Sequence, residues 1–551
     1  MKLTVAELFA RMLIANGFDN LYCLPGVQND HFFDALHDHT DRLAPIHTRH
    51  EQGAAYMAMG AAMATGKPQA YCVVPGPGFL NSTAALCTAL AVGAPVLAIV
   101  GEIHSNALGK SFGALHELPD QFAILQQLTA GTRRIVDGKS AAEVISATLQ
   151  DLVSGKPGPV GIEIPYDKWT AQVPGLPDNL QVSPIPGPQP DPHALSEAAD
   201  LLSRADRPML VVGGGAQDHG DAIRALAERL SAAVLTFRHG QGVVPHDHPL
   251  RVNLPEAHAL WPQVDVAAGL GSRLSTPLKW GVDDGLKLIH IDVNRLEMGR
   301  VCEPDVGVHA DLADALPLLL DSIDSRPAAS RHWREAIANV RKRFSEIYAR
   351  KLRLQQLYLE AIAAELPPEG IFVEEITQIG YASRLLYPAS RPRTFISSGF
   401  QGTLGFGLPT ALGVAHARRD VPVVAVSGDG GALFAIGELA TATLHSIPLN
   451  LVVFTDNSFG NVRRVQERLF DGRTIASNLD NPDFVKLAES FGVPGLRATS
   501  PDELRLRLRE CLAIDGPAVI EVPVGEFPSP WGFLLLPQNR GTKSPPHQAF
   551  F

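Results

Sequence analysis

The sequence predicts an α/β protein of three doubly wound, mostly parallel domains, and three observations carry that prediction. Residues 158–165 (GPVGIEIP) are echoed by residues 516–523 (GPAVIEVP), and each copy closes a stretch in which apolar strand-like runs alternate with helix-like ones. Between them, residues 209–216 (MLVVGGGA) open a further alternating stretch that reaches residues 286–294 (LKLIHIDVN). Residues 421–460 read as buried strand, glycine turn, helix and second buried strand, the pattern of a parallel crossover unit. Sheets of this kind are covered by helices on both faces, so their strands appear as continuous apolar runs.

Proline-rich stretches divide the chain. Residues 173–192 (VPGLPDNLQVSPIPGPQPDP) read as an extended linker. Residues 321–328, the charged helical segment after them and residues 366–370 (LPPEG) mark a second boundary. The expected domains are therefore 1–172, 190–345 and 355–530, followed by a tail at 531–551.

Composition removes several functional classes. The 551 residues are 45% hydrophobic and 19% charged, as in an ordinary globular protein. A net charge of −11 without a concentrated basic patch argues against nucleic acid as a partner. Cys23, Cys72, Cys87, Cys302 and Cys511 are scattered without CxxC spacing, which suits reduced thiols in the cytoplasm better than disulfides or a zinc site. The N-terminus reads as an amphipathic helix leading into a short strand, not as a signal peptide, and no apolar run approaches a membrane span.

The chemistry concentrates at residues 421–460. The strand-like run 421–427 stops at Gly428-Asp429-Gly430-Gly431, and the run 450–455 stops at Asp456. Parallel strands put both ends on one sheet edge, where ligands of open α/β sheets bind. Two carboxylates beside a helix N-terminus and its glycines suit Mg²⁺ bridging a diphosphate. The plainer alternative is that Asp429 only caps the helix. In the first domain Thr48-Arg49-His50-Glu51 precedes a helix rich in alanine and glycine, where Glu51 also suits the helix dipole. Gly213, Gly214 and Gly215 are read as a structural turn in preference to a bound FAD or ADP, because the remaining dinucleotide fingerprint is absent.

These motifs together resemble the thiamine diphosphate enzymes. The resemblance rests on GDG followed across one helix by Thr455-Asp456, and on RHE before the small-residue helix. It also rests on Leu24-Pro25-Gly26, PGPGFLN at 75–81, EEITQ at 374–378 and SSGFQGTLGFGLPTALG at 397–413. It runs from about residue 3 to 525, in the order pyrimidine-binding, central and diphosphate-binding domain. That arrangement is the one of acetolactate synthase, pyruvate oxidase and benzoylformate decarboxylase, and the chain looks most similar to the acetolactate synthase-like group.

The resemblance implies roles for single residues. Asp429, Asp456 and the carbonyl of Ser458 ligate Mg²⁺, while Gly26, Gly428, Gly430, Gly431, Thr377 and Gln378 line the cofactor. Gly402 offers its carbonyl to the 4′-amino group, and Leu404 fills the wedge that bends the cofactor, unless it is plain core packing. Glu51 bonds N1′ of the aminopyrimidine and so promotes removal of the C2 proton. The chain departs from the family at Thr455-Asp456, where Asn-Asn is usual, and at Leu115-His116-Glu117, where the synthase has Phe-Gln-Glu. Val465 stands where the synthase has its selecting tryptophan, and Asn461 where it has a pocket methionine. His116 is a candidate proton donor, or else a satisfied histidine, and Gln28 and His31 are further pocket candidates.

The expected function is a cytoplasmic, Mg²⁺- and thiamine diphosphate-dependent carboligase acting on 2-oxo acids and aldehydes or ketones through an enamine. The alternative is a non-oxidative 2-oxo acid decarboxylase or a 2-hydroxy ketone lyase. An FAD-dependent oxidase ranks below both. Retention of Glu51, Asp429 and Asp456 speaks against a silent binding protein on the same fold. The resemblance further implies a homodimer or homotetramer in which Glu51 of one chain meets Asp429 of its neighbour.

Overall fold

A computed structural model describes residues 3–323 and 331–541. The first sheet contains β1 (Asn20–Cys23), β2 (Ala44–His47), β3 (Gln69–Val73), β4 (Val96–Glu102), β5 (Gly131–Arg134) and β6 (Val160–Pro165). The central sheet contains β7 (Pro208–Val212), β8 (Ala233–Thr236), β9 (Arg251–Val252), β10 (Val266–Leu270), β11 (Lys287–Asp292) and β12 (Val306–His309). The third contains β13 (Ile371–Val373), β14 (Phe395–Ile396), β15 (Val423–Gly428), β16 (Leu449–Thr455), β17 (Gly495–Arg497) and β18 (Ala518–Pro523).

The first and third sheets have the same order, β2-β1-β3-β4-β6-β5 and β14-β13-β15-β16-β18-β17, with parallel pairing throughout. The two echoed segments are β6 and β18, which occupy equivalent places beside β4 and β16. The echo in sequence is thus an echo in topology. The central sheet runs β12-β11-β10-β7-β8-β9, the doubly wound dinucleotide-fold order. β4 and β16 are buried along their whole length, which is why they read as unbroken apolar runs.

The first and third domains share one hydrophobic core. Its centre is the contact between helices Glu51–Thr65 and Gly407–Ala417. A Cβ added at Gly60 would stand 2.2 Å from the Thr410 carbonyl oxygen, and one at Gly413 would stand 2.0 Å from that of Met57. The two backbones therefore touch, and no larger residue fits at either place.

The central domain has its own core, with Trp261, Trp280 and Trp333 fully buried. Helix Arg331–Lys351 belongs to it: Trp333 Nε1 donates to the Pro208 carbonyl at 3.1 Å and Tyr348 Oη to Asn253 Oδ1 at 3.2 Å. The chain beyond residue 530 also returns there, where Arg540 pairs with Asp283 at 2.8 Å. The linker after residue 172 carries no regular element up to the helix Pro192–Arg204 and is fastened by Val182 N–H to Asn16 Oδ1 at 2.8 Å. Of the boundary expected at 321–328, residues 324–328 lie outside the described residues, as does the tail from 542. No helix among the described residues is long and apolar enough to cross a membrane.

A buried polar knot braces the edge of the first sheet. Glu102 at the end of β4 meets Glu163 of β6, and Glu163 pairs with Arg134 of β5. Gln121 Nε2 donates to the Gly101 carbonyl at 2.9 Å, to Glu163 Oε1 at 3.0 Å and to Glu102 Oε2 at 3.3 Å. Its own oxygen accepts the Gly76 N–H at 2.8 Å. Gly76 has φ +61°, and a Cβ there would lie 2.4 Å from the His116 carbonyl oxygen. The knot thus holds the Pro75-Gly76 turn on which the His116 backbone rests.

Burial, and then the charge of Glu163, push the Glu102 carboxyl up to about 8. An unfolded glutamate releases its proton near about 4.3. Between these values the folded chain binds more protons than the unfolded one, so this group makes stability fall as pH rises. Glu102→Gln keeps the shape without the ionisation. Denaturant unfolding of this variant between about pH 5 and 8 gives a less negative slope of unfolding free energy against pH than the parent.

Candidate active site

β15 ends at Gly428 and helix Asp429–Ala435 begins at once, while β16 ends at Thr455 just before Asp456. Both strand ends open on a cavity of about 160 Å³ whose walls come entirely from residues between 376 and 527. Thr377, Gln378, Leu404, Asp429, Asp456 and Ser458 all line it, as do Gly428, Gly430, Gly431 and Asn461. The sequence-derived diphosphate set therefore converges in space.

Asp429 is 3% exposed. Its Oδ2 accepts the Asn457 N–H at 2.7 Å, Asn481 Nδ2 at 2.8 Å and the Asp456 N–H at 3.2 Å, while Oδ1 accepts the Gly430 N–H at 2.8 Å. Asn457 adopts φ +56°, which turns its N–H toward this carboxylate. Gly428, not Asp429, is the helix N-cap, so capping is not what Asp429 does there. Asp456 Oδ1 accepts Ser458 N–H and Oγ, each at 3.0 Å. Burial, followed by the charge of Asp429, holds the Asp456 carboxyl above its ordinary range. Two carboxylates on one cavity, with Ser458 also in its lining, form an oxygen donor set that fits Mg²⁺.

Thr377 is the N-cap of helix Gln378–Leu386. Gln378 Oε1 accepts Arg464 Nη1 at 2.7 Å, and Arg464 Nη2 reaches the Phe527 carbonyl at 2.7 Å. Helix Gly460–Leu469 is thereby latched over the cavity mouth and carries Asn461 into its lining. Val465 lies on the same helix, 38% exposed and outside that lining. Gly402 and Gly405 have φ of +61° and +78°, a backbone course that brings Leu404 into the cavity. Tyr56 and Thr403 join their hydroxyls at 2.8 Å, holding this segment from the first domain of the same chain.

Glu51 is the first residue of helix Glu51–Thr65, with its side chain mostly buried, and its Oε2 accepts Asn81 Nδ2 at 2.9 Å. The N–H groups of Arg49 and His50 that precede the helix go instead to Glu438, at 3.2 Å and 3.0 Å. The helix start thus has another carboxylate, and Glu51 is left for a different partner. Gly26 lies in the turn after β1, where a Cβ would meet Val74 Cγ1 at 2.7 Å. Gln28 and His116 come together at the same sheet edge: His116 Nδ1 and Gln28 Oε1 lie 3.2 Å apart, and Gln28 Nε2 donates to the Leu115 carbonyl at 3.1 Å. His116 has φ +69°, an uncommon conformation for a histidine. His31 packs its ring on Tyr166, with centroids 5.2 Å apart.

A second cavity, of about 560 Å³, lies where the three domains meet. Gly213–Gly215 line it together with Arg238, Arg273 and Phe400. A Cβ at Gly213 would stand 2.1 Å from the Gly271 carbonyl oxygen, so packing of two βα loops accounts for that glycine. Sequence reasoning missed Asn81, Glu438, Asn481 and Arg464, and gave Glu375 no role although it lies in a quoted motif.

Three family matches cover most of the chain: Thiamine pyrophosphate enzyme, N-terminal TPP binding domain, over residues 3–124; its central domain over 195–319; and its C-terminal TPP binding domain over 375–522. A probable 2-ketoarginine decarboxylase of Pseudomonas aeruginosa is 32% identical over 533 residues, covering 94% of each chain. The large subunit of acetolactate synthase isozyme 1 of Escherichia coli is 27% identical, over 95% of this chain and 94% of its own. A probable acetolactate synthase large subunit of Methanocaldococcus jannaschii is 29% identical, over 94% of this chain and 91% of its own. With three α/β domains in the matching order and the cavity built at the third, this chain belongs to the thiamine pyrophosphate enzymes, in the acetolactate synthase group.

Proposed function

We propose that this chain is a Mg²⁺- and thiamine diphosphate-dependent carboligase that joins the acyl part of a 2-oxo acid to a second carbonyl compound. The observation that carries the reading is the convergence of Asp429, Asp456, Leu404 and Thr377-Gln378 on one cavity. Two carboxylates alone would suit many cation sites. The apolar prop beside them is what suits a bent two-ring cofactor.

When bound, thiamine diphosphate supplies carbanion stabilisation beside a carbonyl carbon. Asp429, Asp456 and the Ser458 carbonyl would hold Mg²⁺, and Thr377, Gln378, Gly428, Gly430 and Gly431 would hold the diphosphate. Gly26 borders the cofactor from the first domain. Leu404 would prop the cofactor on its apolar side, and the Gly402 carbonyl would accept from its amino group. Glu51, held by Asn81, would share a proton with the pyrimidine ring. His116, oriented by Gln28, delivers a proton on the substrate side. Asn461, which lines the cavity, would shape the pocket for the second substrate, with Val465 exposed on the same helix and His31 further out. Gly213–Gly215 keep a structural role in this reading, without FAD.

The second reading is decarboxylation, favoured by His116 at the position of the synthase glutamine and by the likeness to a probable 2-ketoarginine decarboxylase. Proton delivery from an imidazole ends the reaction at an aldehyde.

The reading includes a homodimer or homotetramer in the cytoplasm. Among the described residues, the Asp429 cavity has no wall from the first domain of its own chain, which supports completion by Glu51 from a second chain. Val27, Phe112 and Leu115 near the Gln28–His116 pair, and Phe434, Leu469 and Phe470 in the third domain, are all more than half exposed. Apolar surface of that extent is what a second copy covers.

Products discriminate the two activities. Given Mg²⁺, thiamine diphosphate and a panel of 2-oxo acids with aldehydes, the carboligase yields CO₂ and a 2-hydroxy ketone; release of free aldehyde alone selects the decarboxylase. Asp429→Ala and Asp456→Ala abolish Mg²⁺-dependent cofactor binding in calorimetry. Asn481→Ala, which removes a hydrogen bond behind Asp429, weakens it by about 10–100-fold. Undiminished affinity in both aspartate variants contradicts the metal assignment.

A further inference from the structure

β13 is followed directly by two adjacent glutamates, Glu374 and Glu375, that are 0% and 1% exposed. Glu374 is neutralised by Arg384, which it meets through Nε at 2.9 Å and Nη2 at 2.6 Å, and it also accepts Ser397 Oγ at 2.5 Å. Glu375 forms no ion pair among the described residues. Its partners are hydrogen-bond donors only: the N–H groups of Gly405, Phe406 and Gly407, and Ser427 Oγ. Burial pushes its carboxyl up to about 7, against the pull of those donors. A buried carboxylate without a counterion is costly, and the positive end of helix Gly407–Ala417 is what offsets it here.

The donors come from two separate loops. Gly405, Phe406 and Gly407 belong to the segment that carries Gly402 and Leu404, whereas Ser427 leads directly into Gly428-Asp429. Two glycines leave room for the carboxyl between these loops: a Cβ at Gly407 would stand 3.0 Å from Glu375 Oε2, and one at Gly431 would stand 2.8 Å from its carboxyl carbon and oxygens. Glu375 is therefore a joint between the loop that carries the apolar prop and the loop that carries the metal carboxylate.

We propose that Glu375 is a positioning residue that fixes Leu404 and Gly402 relative to Asp429, and so sets the geometry of the bound cofactor without touching it. The inference rests on the thiamine diphosphate reading above. A residue that merely stabilised the fold would weaken every property of the site together. A joint between two loops separates them: the diphosphate end keeps its metal ligands while the reacting end loses its alignment.

The test uses full-length Glu375→Gln with Mg²⁺. The amide has the same shape but lacks the charge and turns donors toward donors. Calorimetry is expected to give a thiamine diphosphate affinity within about threefold of the parent, while exchange of the bound cofactor's C2 proton with deuterated solvent slows about tenfold or more, as misalignment costs rate steeply. Ser427→Ala removes one donor of the joint and is expected to shift the same split less; it carries the test alone if the glutamine variant does not fold. Exchange at the parental rate overturns the proposal. So does a loss of affinity in proportion to the loss of exchange, which marks a structural cap. Failure of the parent chain to bind thiamine diphosphate with Mg²⁺ overturns the functional reading instead, and is visible before any variant is made.

Discussion

Helices Glu51–Thr65 and Gly407–Ala417 cross with their backbones in contact, and the position of the site follows from that crossing. Gly60 and Gly413 permit it, since any side chain at either position would enter the facing main chain. Each helix begins at the carboxyl edge of its sheet, so the contact locks two related edges into one body with a shared core. Each helix start is also held by a buried carboxylate of the third domain, Glu438 for the first helix and Glu375 for the second. The edge bearing Glu51 and the edge bearing Asp429 are thereby rigid, yet among the described residues the Asp429 cavity has no first-domain wall. On the proposed function, a site that needs both edges is completed by a second chain.

Buried carboxylates recur at these edges, and each meeting of two is resolved differently. Glu102 and Glu163 share their space by keeping a proton, helped by Arg134 and Gln121. Glu374 and Glu375 divide the work, one taking Arg384 and the other a helix N-terminus. Among the described residues Asp429 and Asp456 form no ion pair, and hydrogen-bond donors steady them. Their mutual repulsion is the condition a divalent cation relieves. The same electrostatic cost thus separates structural pairs from the pair suited to a metal.

Much of this was legible in the sequence. The strands read at 421–427 and 450–455 are observed at Val423–Gly428 and Leu449–Thr455, because strands buried on both faces leave continuous apolar runs. The placing of Asp429 and Asp456 on one cavity was legible because strand ends in a parallel crossover share an edge. What escaped was long-range: Asn481 reaches Asp429 across 52 positions, and Glu438 reaches His50 across 388. No local spacing announces such partners. Glu375 was in view within EEITQ, but its role depends on two loops meeting, which only packing reveals. His31 and Val465 followed from neighbouring motifs, and the structure puts His31 on Tyr166 and leaves Val465 outside the cavity lining.

The central claim is that Glu51 and Asp429 serve one cofactor from different chains, and a mixing experiment tests it most directly. Glu51→Gln and Asp429→Ala chains are each prepared alone, then dissociated and reassembled together with Mg²⁺ and thiamine diphosphate. The readout is exchange of the bound cofactor's C2 proton with deuterated solvent, with loss of a general acid or base costing about 10²–10⁴ in rate. Glu51→Gln chains alone are expected to exchange slowly and Asp429→Ala chains alone to hold no cofactor, while the mixture regains parental exchange in about a quarter of its sites, those pairing an intact Glu51 with an intact Asp429. A mixture no faster than the average of its two parts contradicts the account.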